Sequence, residues 1–327
     1  MSSPISNWLI QAGFFLSGQA RPSAVFQPDC VMGDTLSYAP PVAFFQPYLQ
    51  APQVILTAND LDISITPPHS AAAVGMARQV TNTGFTPFAR NSDCVFGQAG
   101  INWLAVGLLP PQRQPLPVDL RLGARQPQHF QPDCVTGDTL TDLVTFSSAL
   151  TPPGGLAAVQ VFLTATDLNV VPFVTGTGSS VYHVAATVGV VQNLTLAGFT
   201  LHARNSDCAE GSTNHYYVAV ALDTVVPNSP FIVDAGKLGP LNFTADCTPG
   251  DTQSQAVFFS SPFSAPPIVL VTANDDHIPA STHNAAVVCT ARQVTPYGFT
   301  LVGRNSDCVG GLASFHWVAF GCGQGCG

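Results

Sequence analysis

Charged residues are scarce in this chain of 327 residues. Asp, Glu, Lys and Arg together make up 9% of it, against about 25% in ordinary globular proteins. Lys237 is the single lysine and Glu210 the single glutamate. With a formal net charge of −9, the chain has no basic surface for nucleic acid or for an anionic membrane. We therefore predict neutral partners, such as carbohydrate or another protein, and neither nucleic-acid binding nor membrane insertion.

Helical and catalytic patterns are also missing. No stretch repeats its apolar residues every 3.6 positions, and none approaches the roughly 18 apolar residues of a membrane span. The chain has no nucleophile elbow and no phosphate loop, and nothing singles out a pair of catalytic carboxylates. Eight histidines show no zinc-type spacing. These absences predict a protein that is not an enzyme.

An internal repeat organises what is present. A Gly-Phe pair followed by Arg-Asn-Ser-Asp-Cys occurs three times, with the cysteine at Cys94, Cys208 and Cys308. An Asp-Cys-x-x-Gly-Asp segment precedes each copy, with its cysteine at Cys30, Cys134 and Cys247. We predict three modules at 1–107, 117–221 and 232–321, Pro-bearing linkers at 108–116 and 222–231, and a Cys/Gly tail at 322–327.

Each module has the pattern of a small β-sandwich. Short runs rich in Val, Ile, Thr and Phe alternate with turn residues, and a closing aromatic recurs as Trp103, Tyr217 and Trp317. The expected strands include lead-ins at 8–24, 118–123 and 233–239, then 53–58, 160–165 and 267–273, then 71–81, 181–192 and 285–295, and last 100–106, 215–221 and 314–320. The predicted fold class is all-β, with three tandem six-stranded antiparallel sandwiches.

Six of the nine cysteines recur as one pair per module. Such recurrence indicates three disulfides, while three pairs of small buried thiols are the alternative. The pairs are Cys30 with Cys94, Cys134 with Cys208, and Cys247 with Cys308. Cys289 lies in a strand-like run and is expected in the core. Cys322 and Cys326 would pair with each other, cross-link to a neighbour, or have no role.

The start of the chain has neither the basic region nor the apolar core of a signal peptide. Disulfides are normally an extracellular feature. A protein assembled inside a cell and released by lysis reconciles the two observations. We therefore expect it at an extracellular or virion surface.

Two sets of polar residues are candidates for binding sugar hydroxyls. Arginine offers a fork of donors, and Asn and Asp offer acceptors. The first set is the repeated Arg-Asn-x-Asp: Arg90, Asn91, Asp93, Arg204, Asn205, Asp207, Arg304, Asn305 and Asp307. The second is the aspartate of each Thr-Ala-x-Asp at a predicted strand end: Asp60, Asp167 and Asp275. His215 and His316, beside Tyr217 and Trp317, are candidates for a sugar platform.

Each set has a structural alternative. The first set would fold back on a turn and brace the cysteine, and the second would be a plain strand-end turn. Acidic loop oxygens also suit Ca²⁺, but that ion needs six to eight oxygen ligands, and the chain has no EF-hand-like run. We predict no cofactor, with Ca²⁺ as the less favoured alternative.

The order of these features resembles the H-type lectin domain of snail agglutinin-like and discoidin-like proteins. That order is an early Asp-Cys, a Pro-x-Val-x-Leu strand, a Gly-Phe turn, a second Cys and a final Trp strand. The segments that carry it are Phe44–Thr57, Ala77–Phe85, Trp103–Gly107, Phe146–Thr164 and Phe258–Thr272. The resemblance implies six-stranded sandwiches, the cysteine pairing above, trimeric association, and binding of terminal galactose or N-acetylgalactosamine near protomer boundaries.

The sequence departs from the sugar-binding members of that family. They carry an aromatic residue and a histidine after the second cysteine, where this chain has Val95-Phe96-Gly97, Ala209-Glu210-Gly211 and Val309-Gly310-Gly311. A central-strand arginine is present as Arg78 and Arg292 but has no counterpart in the second module. Two hypotheses follow. One is a carbohydrate-binding adhesin, displayed on a virion tail or fibre or on another extracellular assembly, with a trimer favoured. The other is a structural component that uses the fold without binding sugar.

Overall fold

The computed structural model describes residues 8–16, 35–37, 41–63, 73–91, 97–108, 118–130, 139–152, 155–171, 187–205, 210–222, 231–244, 252–274, 287–305 and 310–323. These residues are nearly all in β-strands, apart from connecting turns and one turn of 3-10 helix at Gly155–Ala158. The predicted all-β class is confirmed.

The three repeats contribute equivalent strands, in six sets. The lead-in strands are β1 (Trp8–Leu16), β8 (Val118–Phe130) and β14 (Phe231–Phe243). The edge strands are β2 (Thr35–Ser37) with β3 (Val42–Ala43), β9 (Thr139–Thr145) and β15 (Thr252–Phe258). The next set is β4 (Gln53–Ile63), β10 (Val159–Val171) and β16 (Ile268–Asn274). It is followed by β5 (Ala73–Arg78), β11 (Thr187–Thr195) and β17 (Val287–Thr295). The Gly-Phe strands are β6 (Gly84–Asn91), β12 (Gly198–Asn205) and β18 (Gly298–Asn305). The closing strands are β7 (Gly97–Leu108), β13 (Glu210–Leu222) and β19 (Gly311–Cys322).

Each repeat forms two antiparallel half-sheets around its own core. In the second repeat the strand orders are β8-β13-β10 and β9-β12-β11. Phe199 from one half meets Tyr217 from the other, with ring centroids 5.5 Å apart. The equivalent pairs are Phe85 with Trp103 at 5.5 Å and Phe299 with Trp317 at 5.6 Å. The recurring aromatic therefore closes a sandwich in each repeat, as predicted, because edge-to-face rings fill the space between the halves.

The half-sheets also continue from one repeat into the next through parallel strand pairs. Strand β4 pairs with β17, β10 pairs with β5, and β16 pairs with β11. Each sheet thus combines the lead-in, last and third strands of one repeat with the fourth, Gly-Phe and edge strands of another, while β3 pairs with β6 off the main path of its sheet. The first repeat contacts the third, the second contacts the first, and the third contacts the second, which closes a ring. Pairing within each repeat is antiparallel, as predicted, and parallel pairs occur at these three junctions between repeats.

An apolar cluster at the centre of the ring draws on all three repeats. We call it the axial cluster. Its members are Ile55, Leu104, Val106, Phe162, Val218, Val220, Leu270, Val318 and Phe320. They come from the third and last strands of each repeat, whose other face packs inside its own sandwich. In β19 this double role gives eight consecutive buried residues, the pattern of a strand covered on both faces.

Three buried threonines link the repeats around the axis. The amide of Leu56 donates to Thr164 Oγ1 at 2.9 Å. The amide of Val271 donates to Thr57 Oγ1 at 3.4 Å, and the amide of Leu163 donates to Thr272 Oγ1 at 3.5 Å. Thr57, Thr164 and Thr272 hold equivalent positions, so each repeat gives one such contact and receives one. The contacts satisfy buried backbone groups that would otherwise cost free energy.

The glycine of each Gly-Phe pair is required by a close backbone approach. A Cβ at Gly84, Gly198 or Gly298 would lie 2.1, 2.0 or 2.2 Å from a carbonyl oxygen, which belongs to Val42, Val144 or Val257 respectively. These oxygens are backbone atoms of the adjoining edge strand, so they cannot turn aside as a side chain would. The repeated glycine is therefore a packing requirement.

Replacing Gly198 by alanine should destabilise the protein by about 1–3 kcal/mol, because the added methyl must push β9 away from β12. Urea unfolding followed by circular dichroism measures the change. Leu143→Ala is the control, since Leu143 neighbours Val144 but is 68% exposed. Equal stability of Gly198→Ala and the wild type would contradict the requirement.

The six cysteines of the predicted disulfides lie outside the described residues, so their pairing stays a prediction. Cys289 is buried in β17 as a free thiol, which confirms its expected place in the core, and burial raises its pKa. Cys322 is exposed and free at the end of β19, where it pairs with Phe231 in the strand register. Cys326 lies beyond the described part. The module boundaries stay a prediction.

Candidate functional site

The repeated Arg-Asn pairs lie in strands. Arg90 and Asn91 are the last two residues of β6, and Arg90 is in register with Thr35 and Val74 on either side. The pairs Arg204-Asn205 and Arg304-Asn305 end β12 and β18 in the same way. The turn expected over these residues is wrong for Arg and Asn, because ladder pairing continues through them. Asp93, Asp207 and Asp307 lie outside the described residues.

The second set of aspartates falls inside strands as well. Asp60 lies within β4 and Asp167 within β10, where we expected strand ends. The register of β4 with β7 shifts between Asn59 and Asp62, and that of β10 with β13 shifts between Thr166 and Asn169. A β-bulge thus lets each strand continue past its aspartate, and bulges commonly re-aim side chains near functional sites. Asp275 lies outside the described residues.

These bulges begin where two repeats join. Asn59 of β4 is in register with Ala291 of β17, and Thr166 of β10 is in register with Ala77 of β5. One residue further along each parallel pair, Asp60 follows Asn59 while Arg292 follows Ala291. In the same way, Asp167 follows Thr166 while Arg78 follows Ala77. The backbone therefore brings a predicted site aspartate of one repeat next to the central-strand arginine of another.

The two predicted sets do not meet. Arg90 is in register with Val74, whereas Thr166 pairs with Ala77 on the same strand β5. At about 3.3 Å per residue, Arg90 lies roughly 10 Å along the sheet from that junction. The Arg-Asn pairs therefore occupy one end of each half-sheet, and Asp60 and Asp167 occupy the junctions between repeats.

The histidine platform predicted beside the last strand is wrong. His316 is 2% exposed and faces the axis, where its Nδ1 accepts a hydrogen bond from the amide of Val161. His215 is 1% exposed inside the second sandwich, and neither of its ring nitrogens has a hydrogen-bond partner among the described residues. Burial lowers the pKa of His215 to about 4. Neither ring can reach a sugar at the surface.

Sequence reasoning missed a group of polar contacts that fasten the lead-in strands. Arg125 makes a two-pronged ion pair with Asp142 at 2.6 and 2.5 Å, and this contact raises the pKa of Arg125. Arg121 donates to the carbonyl of Ser148 at 2.8 Å. In the third repeat, Asp234 instead accepts from the amide of Ser260 at 2.6 Å. Both Arg121 and Asp234 hold the lead-in strand to the loop after the edge strand, which is a structural role.

Within the ranges described above, no three His, Cys, Asp or Glu side chains come together as metal ligands. The same ranges contain no helix long and apolar enough to cross a membrane.

Residues 40–106 and 254–320 match the sequence profile of the H-type lectin domain. These two regions belong to the H-type lectin domain family. The two matched regions contain the aromatic sandwich cores of the first and third repeats and end in the closing strands β7 and β19. No curated protein sequence and no solved structure matches the chain.

The H-type lectin domain match suggests a carbohydrate-binding, lectin-like function. The second repeat, which lies between the two matched regions, has equivalent strands and an equivalent aromatic pair, Phe199 with Tyr217. At the β4–β17 and β10–β5 junctions the backbone places an aspartate position next to a half-buried arginine, whose charged guanidinium carries a fork of donors. That combination suits neighbouring hydroxyl groups of a saccharide.

Proposed function

We propose that this protein is a non-enzymatic carbohydrate-binding adhesin in which three lectin-like repeats on one chain present their sites together. The observation that carries the proposal is the H-type lectin match of residues 40–106 and 254–320. The ring supports it, because the family resemblance implies sugar sites at protomer boundaries, and the ring supplies such boundaries within a single chain. Several weak sites on one particle raise avidity by orders of magnitude without stronger individual contacts.

The ligand proposed is a glycan that ends in galactose or N-acetylgalactosamine. Its place would be the junctions, with Asp60 and Asp167 as acceptors beside Arg292 and Arg78 as donors. The Arg-Asn ends of β6, β12 and β18, with Asp93, Asp207 and Asp307, are a second candidate region. We propose display on a virion tail or fibre, or on another extracellular assembly, with no cofactor.

A glycan array with the fluorescently labelled protein tests the function. We expect signal on multivalent glycans with terminal galactose or N-acetylgalactosamine, and much weaker signal on the same glycans printed sparsely. Free monosaccharide should compete. An array with no signal at any density on these glycans would remove the main support for the adhesin.

The second candidate region is tested by the triple variant R90A/R204A/R304A. If the Arg-Asn ends bind sugar, the array signal should fall to background while the melting temperature stays near that of the wild type. The control is Lys237→Ala, which removes one positive charge from an exposed position. Retained signal in a folded triple variant would mean that these arginines are structural.

A structural role in a larger particle is the second candidate function. Phe45, Phe258 and Tyr297 are 83%, 79% and 69% exposed, and large exposed apolar side chains often mark interaction surfaces. Such a component would associate at high concentration. Sedimentation that shows a monomer at every accessible concentration, with no partner in the native particle, would contradict this role.

A further inference from the structure

The three junctions between repeats share one backbone geometry. Their register pairs are Asn59 with Ala291, Thr166 with Ala77, and Asn274 with Val191. Two residues beyond Ala291, Ala77 and Val191 the backbone becomes left-handed in all three, with φ of +50° at Gln293, +50° at Gln79 and +48° at Asn193. Few residues other than glycine adopt this conformation. Its recurrence shows that β5, β11 and β17 have the same backbone conformation at this position.

One side chain distinguishes the third junction. The residue between the register pair and the left-handed residue is Arg292 at the first junction, which joins β4 to β17. It is Arg78 at the second junction, which joins β10 to β5. In the third it is Gln192. All three are half-buried, so they hold the same place at the same depth.

The change from arginine to glutamine alters what the junction offers a ligand. Arginine carries a full positive charge and five donors in a planar fork, which can grip two neighbouring oxygens at once. Glutamine is shorter and neutral, and its only hydrogen-bonding group is one side-chain amide. A hydrogen bond that involves a charged group contributes roughly twice as much as a neutral one, and its loss corresponds to about 10- to 100-fold in affinity.

We propose that the chain has two saccharide sites rather than three. They lie at the β4–β17 junction, around Asp60 and Arg292, and at the β10–β5 junction, around Asp167 and Arg78. The β16–β11 junction, with Gln192, does not bind. This inference rests on the proposed carbohydrate-binding function and specifies its valence.

Native mass spectrometry with the methyl α-glycoside of N-acetylgalactosamine counts the sites on the full chain. The wild type should bind two molecules, and Gln192→Arg should bind three, because it recreates the missing side chain on an equivalent backbone. Arg78→Gln and Arg292→Gln should each bind one. Lys237→Gln, a charge-matched change at an exposed position, should keep two.

The outcomes separate this inference from the function on which it rests. Three molecules on the wild type would overturn the valence and leave carbohydrate binding intact. No binding by any variant, together with an empty glycan array, would overturn the proposed function and this inference with it. If Arg78→Gln and Arg292→Gln still bind two molecules but melt at lower temperature, the arginines are ion-pair partners of Asp167 and Asp60. That result would overturn the assignment of the sites.

Discussion

Replacing Phe162 by alanine will lower the free energy of unfolding by about 3–5 kcal/mol. Phe162 is fully buried and is the largest fully buried member of the axial cluster. Its removal takes away apolar contacts and leaves a cavity that rigid strands from all three repeats cannot fill. Because the three repeats share this cluster, the loss should lower the melting temperature of the whole chain. Calorimetry should show one transition that moves as a unit.

The matched control for Phe162→Ala is Phe258→Ala, the same substitution at a position that is 79% exposed. A surface change of this kind usually alters stability by less than about 0.5 kcal/mol. Three separate transitions in the wild type, with only one affected by Phe162→Ala, would show that the repeats unfold independently. The axial cluster would then not couple them.

Acid should destabilise the wild type through His215. The unfolded chain binds a proton at this residue near pH 6.5, whereas burial lowers the folded pKa to about 4. Between these values the unfolded chain holds more protons at His215 than the folded chain does. The free energy of unfolding therefore rises with pH, and the contribution of His215 to it is fully present above about pH 6.5. The difference between the unfolded and folded pKa values corresponds to about 3 kcal/mol of stability, which is lost as the pH falls from about 6.5 to about 4.

The substitution His215→Leu should remove this part of the pH dependence. It should also stabilise the protein at pH 7 by about 1–3 kcal/mol, since apolar atoms replace two buried nitrogens that have no hydrogen-bond partner among the described residues. Urea unfolding at several pH values between 4 and 7.5 measures both effects. Phe315→Leu is the control, because Phe315 holds the equivalent position in the third repeat, and its pH slope should match the wild type. If His215→Leu keeps the wild-type slope, other groups cause the acid sensitivity.

The sequence predicts the interior of each repeat well, because that interior depends on local pattern. The closing strand predicted at 100–106 is found at Gly97–Leu108, and the aromatic expected to close each sandwich does so. Two local properties carry this pattern: apolar and polar residues alternate along a strand, and turn residues separate one strand from the next. They repeat wherever the chain repeats.

The junctions between repeats could not be predicted from the same pattern. A strand such as β4 presents the same hydrogen-bonding groups to any partner, so alternation does not say that its neighbour is β17 of another repeat. The bulges at Asp60 and Asp167 begin at these junctions, so they could not be predicted from the alternation either. His215 and His316 were misplaced for a related reason. Alternation puts them on opposite faces of their strands, but only the ring shows that both faces are buried.

The closed ring has a consequence for how this protein can change over generations. In a trimer of identical chains, every substitution appears three times, so a change that harms one boundary harms all of them. Here three boundaries are encoded separately in one reading frame. A substitution at one junction leaves the other two as they were, as Gln192 beside Arg78 and Arg292 illustrates. The chain can therefore acquire a different side chain at one boundary while the other two keep theirs.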